Sequence, residues 1–285
     1  MRKTISKRKR KVSIIAIIMV LLFAILAIII IFPVVCLVIG AFKPSQEIIR
    51  FGLNANLDFS IMNFQNYINL FTGDSDYFKW FINSLTITIV QTLLSIFISG
   101  AVAYGFAMYE FPLKKLFFSC VLLIMMIPTE IIMLPLYKEI INFKLIDTFA
   151  GVILPFIAAP IPIFFFHQFL KGISPTFLDA ARIDGCTEYG IFFKIILPLM
   201  APAFASMGIY QGMISWNNFL WPLIVLKSAD KLTLPIGLST LLTPYSSNYD
   251  ILLAGSVTAI VPIFILFLLF QRYFIAGMTA GGVKG

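Results

Sequence analysis

The chain reads as an all-α membrane protein with six transmembrane helices, and three observations lead there. Of its 285 residues 60% are hydrophobic and 12% charged, with a mean hydropathy of +0.98. That leaves too little polar surface to cover a soluble globule of this length. The apolar residues gather into six runs, at 13–42, 83–108, 116–137, 148–170, 195–226 and 251–276, each near or above the roughly 20 residues that carry a helix across the hydrocarbon core. The runs are continuous and far longer than the roughly ten alternating residues of a barrel strand, so helices are expected.

Residues 1–12 form a basic head holding Arg2, Lys3, Lys7, Arg8, Lys9, Arg10 and Lys11. A signal peptide fits poorly: the apolar partner is too long for a signal core, and Phe32-Pro33-Val34-Val35-Cys36 continues apolar where a small-residue cleavage site would stand. With the N-terminus inside, fourteen Lys and Arg fall on inside segments and seven on outside ones. The positive-inside rule then puts both termini in the cytoplasm of a multi-pass protein of a bacterial-type inner membrane. The net charge of +8 describes that cytoplasmic face, not a nucleic-acid surface.

The first transmembrane helix occupies 13–42. An extracytoplasmic segment, 43–82, follows; rich in Asn, Asp, Phe and Tyr, it is long enough to fold against the membrane surface. Residues 83–276 form a five-helix core with short links, apart from an inside hairpin at 171–194 and an outside loop at 227–250. A tail, 277–285, returns to the cytoplasm.

Within the core, Pro128, Pro135, Pro155, Pro160, Pro162, Pro198, Pro202, Pro222 and Pro262 all fall in apolar runs. Each removes a helical hydrogen bond, so either ordinary kinks or a gated path lined by broken helices accounts for them. Glu130 is the one acidic residue in any run; it lines a path, serves as an ion site, or returns to the interface beside Pro128. Late in the fifth run Tyr210, Gln211, Trp216, Asn217, Asn218, Phe219 and Trp221 offer amides for hydrogen bonds and rings that stack on sugars. The same residues also make an interfacial aromatic belt with interhelical amide bonds.

Cys36, Cys120 and Cys186 have neither metal nor redox spacing, and His167 lacks a Cys or His neighbour in sequence, which favours packing over ligation. Neither a phosphate-binding P-loop nor G-x-S-x-G, H-E-x-x-H or a paired-carboxylate cluster is found, so the chain is expected to be a conduit and not an enzyme.

The hairpin is the one polar interruption that must meet something in water. Ser174 suits an N-cap and Pro175 a first helical turn, so a helix is expected to run to about Asp184. Gly185 then supplies a left-handed residue, and Thr187 with Glu188 opens a second short helix toward Phe193. Ala180 and Ala181 permit close approach of another backbone. Phe177, Leu178, Ile183 and Phe192 are apolar anchors for a groove on a soluble partner, with Asp179, Arg182, Asp184 and Glu188 at its rim. An amphipathic helix lying on the membrane is the alternative.

The order Asp179-Ala180-Ala181, three residues, Gly185, nine residues, then Ile195-Ile196-Leu197-Pro198 resembles the cytoplasmic signature loop of type I ABC importer permeases. Asp179 stands where that signature has Glu, which keeps the charge. Phe42-Lys43-Pro44-Ser45, Asn83-Ser84-Leu85, Trp216-Asn217-Asn218-Phe219-Leu220-Trp221-Pro222 and Thr233-Leu234-Pro235-Ile236-Gly237-Leu238 look like carbohydrate-uptake permeases of the maltose-transporter type. The tail from Gln271-Arg272-Tyr273-Phe274 to Gly285 is similar to their C-termini.

The resemblance covers nearly the whole chain and is closest to the six-span partner subunit. It implies a second permease subunit, an ABC ATPase dimer that holds ATP and Mg, an extracytoplasmic sugar-binding protein and a sugar substrate. It also implies that Asp179, Ala180, Ala181, Asp184, Gly185, Leu197 and Pro198 couple the path to the ATPase. The competing reading is an ion-coupled transporter using Glu130.

Overall fold

The structure, a computed structural model, describes residues 14–73, 75–174, 176–243 and 246–280. The basic head at 1–12 lies outside the described residues, as do 281–285 of the tail. Among the described residues the fold is helical except for a two-residue antiparallel ladder, Leu242–Thr243 with Ser246–Ser247, in the outside loop.

Helix α1, Ile14–Gly40, buries only Cys36 and Gly40; apart from half-buried Leu37 and Ile39 its Ile, Leu and Val side chains are bare, as suits a lipid-facing helix at the edge of a bundle. The outside segment folds into α2, Ser45–Phe51, and α3, Gln65–Thr72. Asn66 ties it down, its side-chain amide donating to the carbonyls of Ala41 (2.9 Å) and Lys43 (2.8 Å), backbone acceptors left open where α1 ends.

The centre is α4, Tyr77–Met108, packed against α8, Pro160–Leu170, and α12, Ala201–Trp216. Small residues on its buried face, Ser95, Ser99, Gly100 and Ala103, let backbones approach. At Gly100 a Cβ would sit 2.6 Å from the Phe204 ring.

Four stretches are long and apolar enough to cross a membrane without a break: 14–40, 77–108, 149–170 and 249–269. The span 149–170 combines α7, Phe149–Ile153, a tight turn and α8, whereas the last belongs to α15, Tyr249–Ala280. The third and fifth runs are the broken ones, as prolines within them allowed. In the third, α5, Lys114–Met125, and α6, Thr129–Asn142, meet at 108°, because Pro128 holds an extended conformation at the junction. In the fifth, residues 188–199 and α12 meet at 73° around Met200, between Pro198 and Pro202. Counting each bent pair as one span gives six.

Several other prolines begin helices instead of kinking them: Pro155, Pro160, Pro198 and Pro202 occupy first-turn positions, where the missing N–H goes unmissed. Pro135 and Pro262 sit inside unbroken helices.

The hairpin comprises α9, Thr176–Ile183, and α10, Glu188–Ile191, which continues through a wide turn at Phe192–Ile196 into α11, Leu197–Leu199. At the opposite end of the bundle lie α13, Leu220–Val225, and α14, Leu234–Thr240, the latter within the 227–250 loop.

Candidate coupling surface and its tether

Each turn of the hairpin is made by a local hydrogen bond that its sequence supplies. The Ser174 hydroxyl accepts from the Thr176 amide (3.4 Å) at the start of α9. At its end Gly185 takes φ of 78°, the Cys186 amide donates to the Ala181 carbonyl (2.9 Å), and the Gly185 amide donates to that of Arg182 (3.0 Å). This pair of bonds is the Schellman arrangement, which favours glycine because a Cβ crowds the left-handed backbone. Thr187 caps α10 by accepting from the Gly190 amide (3.1 Å).

The two faces of α9 have different owners. Leu178 (3% exposed) and Ala181 are buried with Ala103, Tyr104, Phe166, Leu170, Ile191 and Phe192, so the hairpin sits on the ends of α4 and α8. Expected as anchors for an outside groove, Leu178 and Phe192 instead fasten the hairpin to its own chain, because α9 presents Leu178 and Ala181 on one face, three residues apart. The exposed face holds Phe177, Ala180, Ile183 (86% exposed) and Tyr189 (82% exposed), with Asp179 and Asp184 beside them. Leu197 packs partly on the same core, and Pro198 is exposed just ahead of the Met200 bend.

A polar tether reinforces this seat. Glu188 accepts from Arg182 Nε at 2.8 Å on Oε1 and, on Oε2, from Arg182 Nη2 at 3.4 Å and the Tyr109 hydroxyl. Arg182 also pairs with Asp179 (3.4 Å), and the Tyr109 and Tyr104 hydroxyls lie 3.3 Å apart. Hydrogen bonds from Arg182 and then Tyr109 hold the Glu188 carboxyl below its usual range; the same carboxylate raises Arg182. Burial first, then the bond to Glu188, pushes the Tyr109 phenol up. Tyr109 follows α4 directly, so the tether joins both arms of the hairpin to the end of the central helix. No local sequence signal marks Tyr109, which lies 79 residues from its carboxylate partner.

The residues considered for a path are dispersed. Glu130 is exposed in the first turn of α6, beyond the 108° bend. Trp216 is buried, its indole donating to the Ala259 carbonyl of α15 (3.1 Å) and its ring meeting Phe81 edge-on. Gln211 is buried along α12, Tyr210 and Asn218 are half-buried, and exposed Asn217 donates to the Met213 carbonyl of its own helix (2.8 Å).

The motifs at the end of the bundle opposite the hairpin prove to be clamps. Asn83 donates to the carbonyls of Asp230 (2.8 Å) and Leu232 (3.0 Å), and Ser84 accepts from the Leu234 amide (2.7 Å), fixing the start of α14. Ser45 accepts from the Asp250 amide (3.0 Å) where α15 begins. Asp147, at φ 58°, gathers the Lys227 and Ser228 amides (2.9 and 3.0 Å), the Ser228 hydroxyl and Lys231 Nζ (3.0 Å). The Ser228 hydroxyl and the two amides, with smaller help from Lys231, hold its carboxyl well below the usual range.

Residues 91–280 match the family described as "binding-protein-dependent transport system inner membrane component". The chain is 53% identical over 273 residues to the arabinooligosaccharides transport system permease protein AraQ of Bacillus subtilis, covering 96% of this chain and 97% of that one. The protein of the same name from Halalkalibacterium halodurans is 55% identical over 97% of this chain and 100% of its own length. The lactose transport system permease protein LacG of Rhizobium radiobacter is 35% identical, covering 89% and 91%. In fold, the chain resembles one from the crystal structure of a bacterial ABC transporter that imports the acidic polysaccharide alginate, with a TM-score of 0.80, 22% identity and coverage of 93% and 98%.

Proposed function

The chain belongs to the family of binding-protein-dependent transport system inner membrane components, and from that premise we propose that it is one of two permease subunits of an ATP-driven importer for arabino-oligosaccharides. The observation that carries this reading is identity of 53–55% along nearly the full length of two permeases named for that substrate class. The ATP would be hydrolysed, with Mg, by a separate ABC ATPase dimer, since this chain has no phosphate-binding loop. An extracytoplasmic binding protein would deliver the sugar at the end of the bundle that carries α13 and α14.

On this reading the hairpin lies in the cytoplasm, as do both termini, and the face of Phe177, Ala180, Ile183 and Tyr189 docks in the ATPase. Asp179 and Asp184 flank that contact, and Gly185 turns the chain out of it. The chemistry asked of the chain is mechanical. Closure of the ATPase displaces the hairpin, and the apolar seat and the Glu188 tether pass that displacement to α4 and α8. Alternating access follows when the bundle responds by opening to the other side.

The test is to purify the assembled transporter, add binding protein loaded with arabino-oligosaccharide, lactose or no sugar, and measure ATP hydrolysis and uptake in proteoliposomes. Stimulation by the arabino-oligosaccharide above the other two is expected. Uptake that persists in vesicles lacking the ATPase, driven by an ion gradient and lost in Glu130→Gln, would overturn ATP coupling.

A further inference from the structure

The hairpin end of the bundle, cytoplasmic on the function proposed above, carries a cavity that the coupling does not use. It measures about 670 Å³ and opens between the end of α4, the start of α5 and the end of α8. Its walls are apolar: Phe106 packs on Phe111 (5.7 Å between ring centres) and Phe118 (5.6 Å), and Phe118 lies 4.1 Å from the ring of His167. Its mouth is basic, with Lys114, Lys115 and Lys171 all lining it. Glu110 is the one acidic residue there, and Lys114 takes it up at 2.8 Å while also donating to the Tyr109 carbonyl (2.9 Å). Lys115 and Lys171 are exposed.

One further feature suits an anion. Helix α5 starts at the cavity with no side chain capping its first turn; the Lys114 amide donates to the Phe111 carbonyl (3.3 Å), and the positive end of the twelve-residue helix lies at that mouth. His167, 4% exposed, lines the cavity with its ring against Phe118. Beside the mouth Leu113, Leu116 and Phe117 are exposed on the apolar surface. A basic mouth, an apolar wall and a position where the bundle leaves the membrane together match an amphiphile with a negatively charged head.

We infer that this cavity binds the phosphate headgroup of an anionic phospholipid from the inner leaflet, with Lys115, Lys171 and the start of α5 on the phosphate and Phe106, Phe111 and Phe118 beside its glycerol and acyl stem. The headgroup would brace the α4–α5 turn that also carries Tyr109, so the lipid and the hairpin tether share one segment of chain.

The test uses the complete transporter in detergent, titrated with dioctanoyl phosphatidylglycerol, dioctanoyl phosphatidylcholine or inorganic phosphate and read by native mass spectrometry. Phosphatidylglycerol is expected to bind in preference to phosphatidylcholine. Removing both free charges in Lys115→Gln/Lys171→Gln should weaken it about thirtyfold, roughly fivefold for each lysine, and Lys115→Arg/Lys171→Arg should restore it. Equal binding of phosphatidylglycerol by the double glutamine variant would overturn the proposal. So would inorganic phosphate binding as tightly as the lipid, which would make the site one for free phosphate. Loss of a partner subunit from the variant would also overturn it, since the cavity would then be a subunit contact.

Discussion

Gly185 allows the backbone and the surface of the hairpin to be perturbed separately. Its φ of 78° places it in the left-handed region, yet a Cβ built there meets nothing within 4 Å. Alanine would therefore clash with no atom of this chain. Its penalty is the left-handed strain alone, roughly 1–2 kcal/mol, which shifts the turn toward opened forms by about five- to thirtyfold. Asparagine tolerates the same conformation and should escape most of that penalty. Leucine carries the strain and also projects a side chain beside Asp184, into the surface proposed to meet the ATPase.

The assay is binding-protein-stimulated ATP hydrolysis and sugar uptake in proteoliposomes, with yield and thermal unfolding of the purified permease as controls. Uptake per ATP is expected to fall in the order glycine, Gly185→Asn, Gly185→Ala, Gly185→Leu, while yield and unfolding stay close to the parent because no core contact changes. Wild-type uptake and wild-type ATP stoichiometry in Gly185→Leu would refute both the turn argument and the docking face. If Gly185→Asn were as impaired as Gly185→Leu, a bare surface and not the backbone angle would be what the glycine provides.

Three more outcomes are expected. Glu188→Gln and Tyr109→Phe should each raise amide exchange across 176–191; in the parent, Glu188 sits below its usual value near 4.5, so the tether is complete above that pH and is lost only as pH falls through the lowered value. Protection there, as exchange relative to the intrinsic rate at each pH, should be flat from pH 8 to 5. Gly237→Ala would place a Cβ 2.0 Å from the Trp80 ring, an overpacking of roughly 1–3 kcal/mol or more, seen as a lower unfolding temperature and relieved by Trp80→Leu. Asp147→Ala should expose 227–231 to protease from the outside, whereas Asp147→Asn, which keeps an acceptor for the two amides, should lose less; in the parent, protection should persist on acidification until pH drops below the ordinary carboxylate value of 3.8, because the folded carboxyl titrates lower still.

What could be read from the chain alone was what a short segment decides by itself. Six apolar runs follow from composition, and the caps at Ser174, Gly185 and Thr187 act over two to five residues, so the hairpin was legible before any packing was known. The bends at Pro128 and Met200 were not. Pro135 and Pro262 stand in similar apolar sequence without breaking their helices, so the effect of each proline depends on what packs around it. The ownership of Leu178 and Phe192 was also hidden, since an apolar face on a short helix does not say whether a groove in the same chain or in another one will cover it. Trp216 illustrates the same ambiguity: an aromatic beside two asparagines reads equally as sugar platform or as packing, and only the carbonyl of Ala259 within reach of its indole reveals the interhelical bond.

The tether changes how the hairpin should transmit force. A docking loop held only by apolar burial can slide over its seat, because such contacts are non-directional. Glu188 removes that freedom: it is bonded at once to Arg182 in α9, to its own helix α10 through the backbone, and to Tyr109 at the end of α4. Three segments thus meet at one carboxylate, so on the proposed coupling a push on the exposed face of Ile183 and Tyr189 would reach α4 through a directional contact as well as an apolar one. Since α4 is the helix that α8 and α12 both pack against, the proposed displacement of its end would shift two spans together, the kind of rigid-element motion that alternating access requires.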